Sequence, residues 1–223
     1  MTPRDPALFP AFLKLDGRES LVVGAGRVGQ SKIEGLLATG AAITVVSPRA
    51  TGTVEAWARA SRLRWRAREF QPSDLEGIFL AVVATSLPEL NERVFQEARR
   101  QRVLCNVVDD PARCDFYYPA VVRRGALQIA VSTNGRSPAL AQRLRKKLER
   151  EFNPAYEAWT EELGRERQRL FAEPMDPGER RRLLHKIASS ESLERFCSGA
   201  VPSAEIAGED TGATEGRAPR KDL

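Results

Sequence analysis

Glu19-Ser20-Leu21-Val22-Val23-Gly24-Ala25-Gly26-Arg27-Val28-Gly29-Gln30-Ser31-Lys32 is the stretch from which the rest of the chain can be read. An apolar run ends in Gly24-x-Gly26-x-x-Gly29, and Ile33, Leu36 and Leu37 follow at helical spacing before Gly40. This order predicts the strand, glycine turn and helix of a dinucleotide-binding βαβ unit. Gly24 suits the tight turn, Gly26 lets backbone approach a pyrophosphate, and Gly29 lets the helix pack close to the strand. The pyrophosphate is then expected on the free N–H groups of a helix N-terminus, where the macrodipole favours negative charge. Glycines at this spacing also occur in tight turns that bind nothing. The flanks on both sides, and a second apolar run at Ala42-Ile43-Thr44-Val45-Val46-Ser47, favour the nucleotide site.

Working outward, Leu8 to Arg18 is a short apolar segment ending in a turn, expected as an edge piece against a sheet. After Ser47-Pro48-Arg49, read as a loop, Val54, Trp57, Ala58 and Ala60 mark a second helix, and Leu63 to Arg66 alternates as a short strand. Ile78-Phe79-Leu80-Ala81-Val82-Val83-Ala84 has no polar member and predicts a parallel strand buried on both faces. Leu90, Val94 and Ala98 return to helical spacing, and Val103 to Val108 is another buried strand. Strand and helix alternate throughout, so the fold class is α/β, a Rossmann-type doubly wound parallel sheet of about five strands.

The pattern changes after Pro111. Tyr117 to Arg123 and Leu127 to Ser132 are separated only by a short turn at Arg124-Gly125, which predicts an antiparallel hairpin. Asn134-Gly135 makes the next turn; Ser137 is placed to cap a helix and Pro138 to open it. That helix carries Leu140, Leu144, Leu148 and Phe152 on one stripe and stops at Asn153-Pro154. Residues 153–197 read as a small helical module rich in Arg and Glu, broken at Glu173 to Gly178. Residues 198–223 lack apolar periodicity and are expected to be a disordered tail. The expected organisation is thus residues 1–112 as the nucleotide-binding domain, 113–152 as a hairpin-plus-helix dimerisation region, then the helical module and the tail.

With 42% hydrophobic and 29% charged residues, the composition is that of a soluble globular protein. No apolar run is long enough to span a bilayer and the first residues lack a signal-peptide core, so a cytoplasmic location is expected. Cys105, Cys114 and Cys197 have neither the number nor the spacing of a disulfide framework or a zinc site, and His185 is the sole histidine; no metal site is expected. A net charge of +5 suits a polyanionic small molecule at least as well as nucleic acid, for which no known module is visible.

In an open parallel sheet, ligands bind beyond the carboxyl ends of the strands. The candidates there are Gly24 to Gly29, Ser47 to Arg49, Thr85-Ser86, and Asn106 to Pro111. Asp109-Asp110-Pro111 has two readings of equal standing: a general base beside a bound nicotinamide, or a turn that caps a helix.

Three motifs give the chain a resemblance to a known family: Val22 to Gly29 with Lys32 after it; Cys105-Asn106-Val107-Val108-Asp109-Asp110-Pro111; and Ala130-Val131-Ser132-Thr133-Asn134-Gly135-Arg136-Ser137-Pro138-Ala139-Leu140-Ala141. From Phe9 to Phe152 the chain resembles the precorrin-2 dehydrogenase domain of sirohaem biosynthesis, found alone, as the N-terminal part of sirohaem synthase, or as a dehydrogenase-chelatase. The resemblance implies oxidation of precorrin-2 to sirohydrochlorin with NAD, a homodimer formed through the hairpin and following helix, and no nucleic-acid or membrane partner. It puts the catalytic aspartate at Asp109 and cofactor contacts at Gly24, Gly26, Arg27, Val28, Gly29, Ser47, Pro48, Arg49 and Thr85. Substrate contacts are expected from Asn106, Ser132, Asn134, Gly135, Arg136 and Ser137. Some members also insert ferrous iron; here that activity is expected to be weak or absent.

Two departures stand out. Ser47-Pro48-Arg49 occupies the place where an NAD enzyme commonly carries an acidic residue for the ribose, which leaves NADP open. The residues after Phe152 are too few for the methyltransferase of sirohaem synthase, so methylation is expected from another protein. A reading of a different class is an NAD-sensing regulator whose basic helices contact DNA or a protein partner.

Overall fold

The computed structural model describes residues 7–198; the expected disordered tail, 198–223, lies outside them except for Ser198, which caps the last helix. Five parallel strands, β1 (Glu19–Ala25), β2 (Ala42–Ala50), β3 (Arg64–Arg66), β4 (Leu80–Val83) and β5 (Leu104–Val107), form one sheet in the order β3-β2-β1-β4-β5. The chain moves outward one way from β1 and then starts again on its other side at β4. Such a reversal opens a crevice at the carboxyl ends of β1 and β4.

Side-chain alternation builds a core on each face. Leu21, Val23, Ala81, Val83 and Val107 point to one side, where α3 (Pro88–Gln101) covers them with Val94, Phe95 and Ala98. Val22, Val45, Leu80 and Val82 point to the other, against Ile33 and Leu36 of α1 (Arg27–Leu37) and Val54 of α2 (Gly52–Arg59). Because β1 and β4 are buried on both faces, they read as unbroken apolar runs.

Three expectations are corrected. Ser47-Pro48-Arg49 is not a loop but part of β2, which resumes pairing with β1 at Ala25↔Ala50 after a register shift. The strand expected from Ile78 begins at Leu80. Leu8 to Leu13 forms no strand, and Phe9 is 90% exposed; the first side chain to enter the core is Leu15.

The 3₁₀ turn Pro72–Leu75 carries the buried Asp74. Its carboxylate accepts from Arg66 at 2.5 Å, from both terminal nitrogens of Arg68 at 2.7 and 2.8 Å, and from the Gln71 N–H at 2.9 Å. A buried carboxylate is tolerable when two guanidiniums and a backbone donor replace its water.

The described chain divides into two compact units: the sheet through Ala120 together with Ser132–Gln142, and Val121–Val131 together with the chain from Arg143. In the second unit, β6 (Ala120–Arg124) and β7 (Leu127–Val131) form a two-stranded sheet joined through Gly125 at φ 54°. Four helices follow the hairpin: α4 (Pro138–Glu151), α5 (Ala155–Ala172), α6 (Pro177–Ile187) and α7 (Ser190–Cys197). Arg124 donates to the Phe152 and Glu149 carbonyls at 2.7 and 2.8 Å, placing a cation on the carbonyl end of α4. Arg180 closes the end of α5 in the same way through Leu170 O, 2.9 Å, and Glu173 O, 3.1 Å.

Candidate functional site

The glycine turn sits where β1 passes into α1, beside the end of β4. Gly24 has φ 99°, and a Cβ on it would run into the Ala84 carbonyl while standing 3.1 Å from Thr85 Cγ2. A Cβ on Gly29 would strike the Gly24 carbonyl. Gly26 is the opposite case: a Cβ there meets nothing within 4 Å. Two glycines are therefore required by neighbouring backbone, and the third faces open space at a helix start.

That start is prepared for an anion. Gly26 caps α1 without a side-chain hydrogen bond, and the first turn, Arg27-Val28-Gly29, carries no acidic residue. The leading N–H groups and the positive end of the helix dipole are thus left to a ligand. A cradle open at Gly26 and closed at Gly24 and Gly29 fits the pyrophosphate of a dinucleotide.

Beside it lies a cleft of about 430 Å³ lined by Arg27, Val28, Ser31, Lys32, Val108 and Asp109. Asp109 follows the end of β5: Val108 N–H still bonds Val83 O at 2.9 Å, and Asp110 N–H then folds back to Val107 O at 3.2 Å. The turn leaves Asp109 at φ 62°, a left-handed conformation that a short polar side chain tolerates. Asp109 is exposed, not partly buried as its place after a buried strand suggests. Its sequence neighbour is differently engaged: Asp110 pairs with Arg113, which also pairs with Glu92 on α3. The two adjacent carboxylates therefore do not form a unit. Lys32 lines the same cleft as Asp109, and its ammonium lies 4.0 Å from the centroid of the Tyr118 ring. Burial pushes the Lys32 ammonium below its ordinary value, and the Asp109 carboxylate opposes that shift.

The remaining candidates are placed as follows. Thr85 donates its hydroxyl to Asn91 Oδ1 at 2.5 Å and accepts from Leu87 N–H at 3.2 Å, so its methyl group is the part turned to Gly24. Ser47 donates to Arg49 O at 2.6 Å within β2, while Pro48 and Arg49 are exposed. Asn106, expected as a substrate contact, is only 5% exposed. Its amide donates to Phe116 O at 2.8 Å and to Cys114 Sγ at 3.2 Å, pinning the returning chain to β5. That side chain is a structural clamp.

The loop from Ser132 to Ser137 belongs to the same compact unit as the sheet, although two strands separate them in the chain. Its own hydroxyls shape it: Ser132 accepts from Asn134 N–H at 3.2 Å, Thr133 from Ser137 N–H at 3.0 Å, and Ser137 from Leu140 N–H at 3.2 Å at the start of α4. Asn134 and Gly135 take positive φ, 53° and 73°, and Arg136 is exposed. None of these residues lines the cleft.

Sequence reasoning assigned no role to Lys32 and read Tyr118 only as part of a strand. Lys32 was legible as the residue one turn after Gly29 on the helix that opens the site; Tyr118 carried no signal. Among the described residues no three His, Cys, Asp or Glu groups are gathered as a metal site, and His185 is exposed on α6.

A family described as NAD(P)-binding matches residues 11–120, and the family described as sirohaem biosynthesis protein central matches residues 124–151. The chain is 38% identical over 184 residues to Siroheme synthase 1 of Aeromonas salmonicida, covering 82% of this chain and 39% of that protein. It is 35% identical over 196 residues to Siroheme synthase 1 of Serratia proteamaculans, covering 88% of this chain and 41% of that one. The chain thus spans about two fifths of the length of the curated relatives it matches. A solved structure of SirC, precorrin-2 dehydrogenase, superposes with a TM-score of 0.73 at 28% identity, covering 86% of this chain and 98% of that chain.

Proposed function

Since the chain belongs to the sirohaem-biosynthesis family that joins an NAD(P)-binding domain to the sirohaem central segment, we propose that it oxidises precorrin-2 to sirohydrochlorin using NAD. The observation that carries this reading is the meeting, in one cleft, of an uncapped helix N-terminus and the Asp109 carboxylate. When bound, NAD supplies the acceptor for the hydride that the substrate loses. The chain's own residues do the rest. Gly24, Gly26, Arg27, Val28 and Gly29 hold the pyrophosphate, and Ser47, Pro48 and Arg49 lie at the end of β2, where the adenosine half is expected. Thr85 packs its methyl group against Gly24 at the crevice floor.

Oxidation also releases a proton from the substrate, and in this reading the Asp109 carboxylate accepts it. An exposed carboxylate on a rigid turn can reach a substrate without reorganising the sheet, because the turn is held by backbone bonds on both sides. Arg136 and the polar loop Ser132, Asn134, Gly135 and Ser137 supply hydrogen bonds and charge for the carboxylates of the tetrapyrrole. Iron insertion is a subordinate activity in this reading, expected to be weak or absent.

The assembly proposed is a homodimer built on the hairpin and α4. Leu140 and Leu144, one turn apart on α4, remain 46% and 37% exposed, which suits burial against a second copy. Among the described residues no helix is long and apolar enough to cross a membrane, and the proposed location is the cytoplasm.

The deciding experiment is incubation of the protein with precorrin-2 and NAD, following the absorbance and red fluorescence of the isobacteriochlorin product. Appearance of product with stoichiometric NADH supports the reading. NADH binding without any turnover of precorrin-2 sinks it.

A further inference from the structure

We infer that Lys32 is a substrate anchor: its ammonium, seated on the Tyr118 ring, takes a carboxylate of the tetrapyrrole that enters the cleft. This rests on the reading of that cleft as the precorrin-2 site.

A lysine on a surface helix ordinarily sends its ammonium into water, whereas this one is half-buried and stands 4.0 Å from an aromatic centroid. The seat is itself held: the Tyr118 ring lies 5.7 Å from that of Phe116, which packs on the core between α1 and the sheet. A ring face attracts a cation but leaves its N–H donors to find an oxygen elsewhere. The chain supplies none: among the described residues Lys32 donates no hydrogen bond, and no carboxylate, that of Asp109 included, lies within 4.0 Å of it. A half-buried, unpaired ammonium on a fixed seat is a site for an anion from outside. Two anions are available in this reading, the cofactor's pyrophosphate and the substrate's carboxylates. The pyrophosphate is served by the N–H groups of the first turn of α1, and Lys32 stands five positions beyond Arg27, a rise of about 7.5 Å along the helix. Lys32 shares its cleft with Val108 and Asp109 at the end of β5, where the substrate is read to react. The charge balance agrees, since the lining carries the cations Arg27 and Lys32 against the single carboxylate of Asp109 and so attracts a polyanion.

The test uses the full chain, with sirohydrochlorin as an equilibrium probe because oxidation leaves the carboxylates of precorrin-2 in place. Its fluorescence anisotropy is titrated with the wild type, Lys32→Met, Lys32→Arg and Tyr118→Leu, beside an NADH titration and steady-state kinetics with precorrin-2. Lys32→Met is expected to weaken sirohydrochlorin binding and to raise KM for precorrin-2 by about tenfold each, while kcat falls by less than about threefold and the NADH dissociation constant stays within about twofold. Lys32→Arg should recover part of the binding, since a guanidinium also pairs with a carboxylate. Tyr118→Leu keeps the charge and removes its seat, and should weaken sirohydrochlorin binding by about threefold.

A weakened NADH constant in Lys32→Met beside unchanged sirohydrochlorin binding would make Lys32 a cofactor anchor and overturn the inference, as would a fall in kcat alone. If Lys32→Met does not fold, Tyr118→Leu decides: weaker sirohydrochlorin binding supports the inference and unchanged binding overturns it. A wild type that binds NADH but neither binds sirohydrochlorin nor turns over precorrin-2 removes the functional reading itself. A wild type that does both, beside a Lys32→Met that binds sirohydrochlorin as tightly, removes only the role given to Lys32.

Discussion

A left-handed backbone at Asp109 and an ion pair at Asp110 give these adjacent aspartates different settings. Asp109→Asn keeps the shape of the side chain and removes the proposed proton acceptor. It should lower kcat by on the order of 10²-fold with NAD binding unchanged, measured by steady-state kinetics beside a fluorescence titration with NADH. Asp110→Asn should lose much less activity, because it gives up only a partly exposed ion pair with Arg113. The glycines separate in a parallel way. Gly26→Val should fold with a near-normal thermal midpoint and fail to bind NAD, since its side chain would stand in the space now open over the helix start. Gly24→Ala must move the Ala84 carbonyl and also strains a backbone at φ 99°, so a loss of about 2 kcal/mol or more is expected in urea unfolding. Retained NAD affinity in Gly26→Val would argue against the cradle.

Among the elements, the short 3₁₀ turn at Pro72–Leu75 has the clearest electrostatic dependence. Burial works against ionising Asp74, but Arg68, the Gln71 N–H and Arg66 outweigh it and hold the carboxyl down to about 2. A carboxyl with its folded-state value depressed below its unfolded value adds stability above the unfolded value and loses it as pH falls through the folded one. The window is therefore from about pH 4 down to about pH 2. Because both guanidiniums are partly exposed and screened, the contribution is about 1–2 kcal/mol. Urea midpoints of the wild type and Asp74→Asn should differ at pH 6 and converge toward pH 2. A gap that stays constant with pH would mean that the turn is held by packing alone. β2 shows a different kind of constraint: its run through Ala50 puts Thr51 where its hydroxyl donates to Gln30 Oε1 at 2.7 Å, tying the start of α2 to the helix of the glycine turn.

For the molecule as a whole, the exposed apolar surface is the main question. The Leu140–Leu144 stripe has the width of one helix face and would be a solubility liability on a lone chain. Sedimentation at micromolar concentration is expected to show a dimer, and Leu140→Lys with Leu144→Glu should convert it to monomer with the far-UV spectrum unchanged. A wild-type monomer at that concentration would refute the proposed assembly. Leu8, Phe9, Phe12 and Leu13 form a second exposed apolar group, and nothing in the structure shows what covers it.

What the sequence determined by itself is whatever depends on local periodicity and on backbone geometry. The apolar run at Leu21 to Val23, the glycine spacing at 24, 26 and 29, and the Ser137-Pro138 helix start are each dictated within a few residues and appear where the pattern puts them, while the run from Ile78 to Ala84 forms a strand only over Leu80 to Val83. Asp109 was legible as a candidate because the end of a parallel strand is a known place for chemistry. Only tertiary structure decided the partners. Asn106 reads as a polar residue beside a site, yet the return of the chain at Cys114 and Phe116 buries it as a clamp. Asp109 and Asp110 look alike until Arg113 takes Asp110 and leaves Asp109 exposed at the cleft. Tyr118 becomes the seat of the lysine although 86 positions separate them in the sequence. The physical reason is the same throughout: side-chain period and turn chemistry are properties of neighbours along the chain, whereas the charge or ring that meets a given side chain depends on how strands and helices pack after folding.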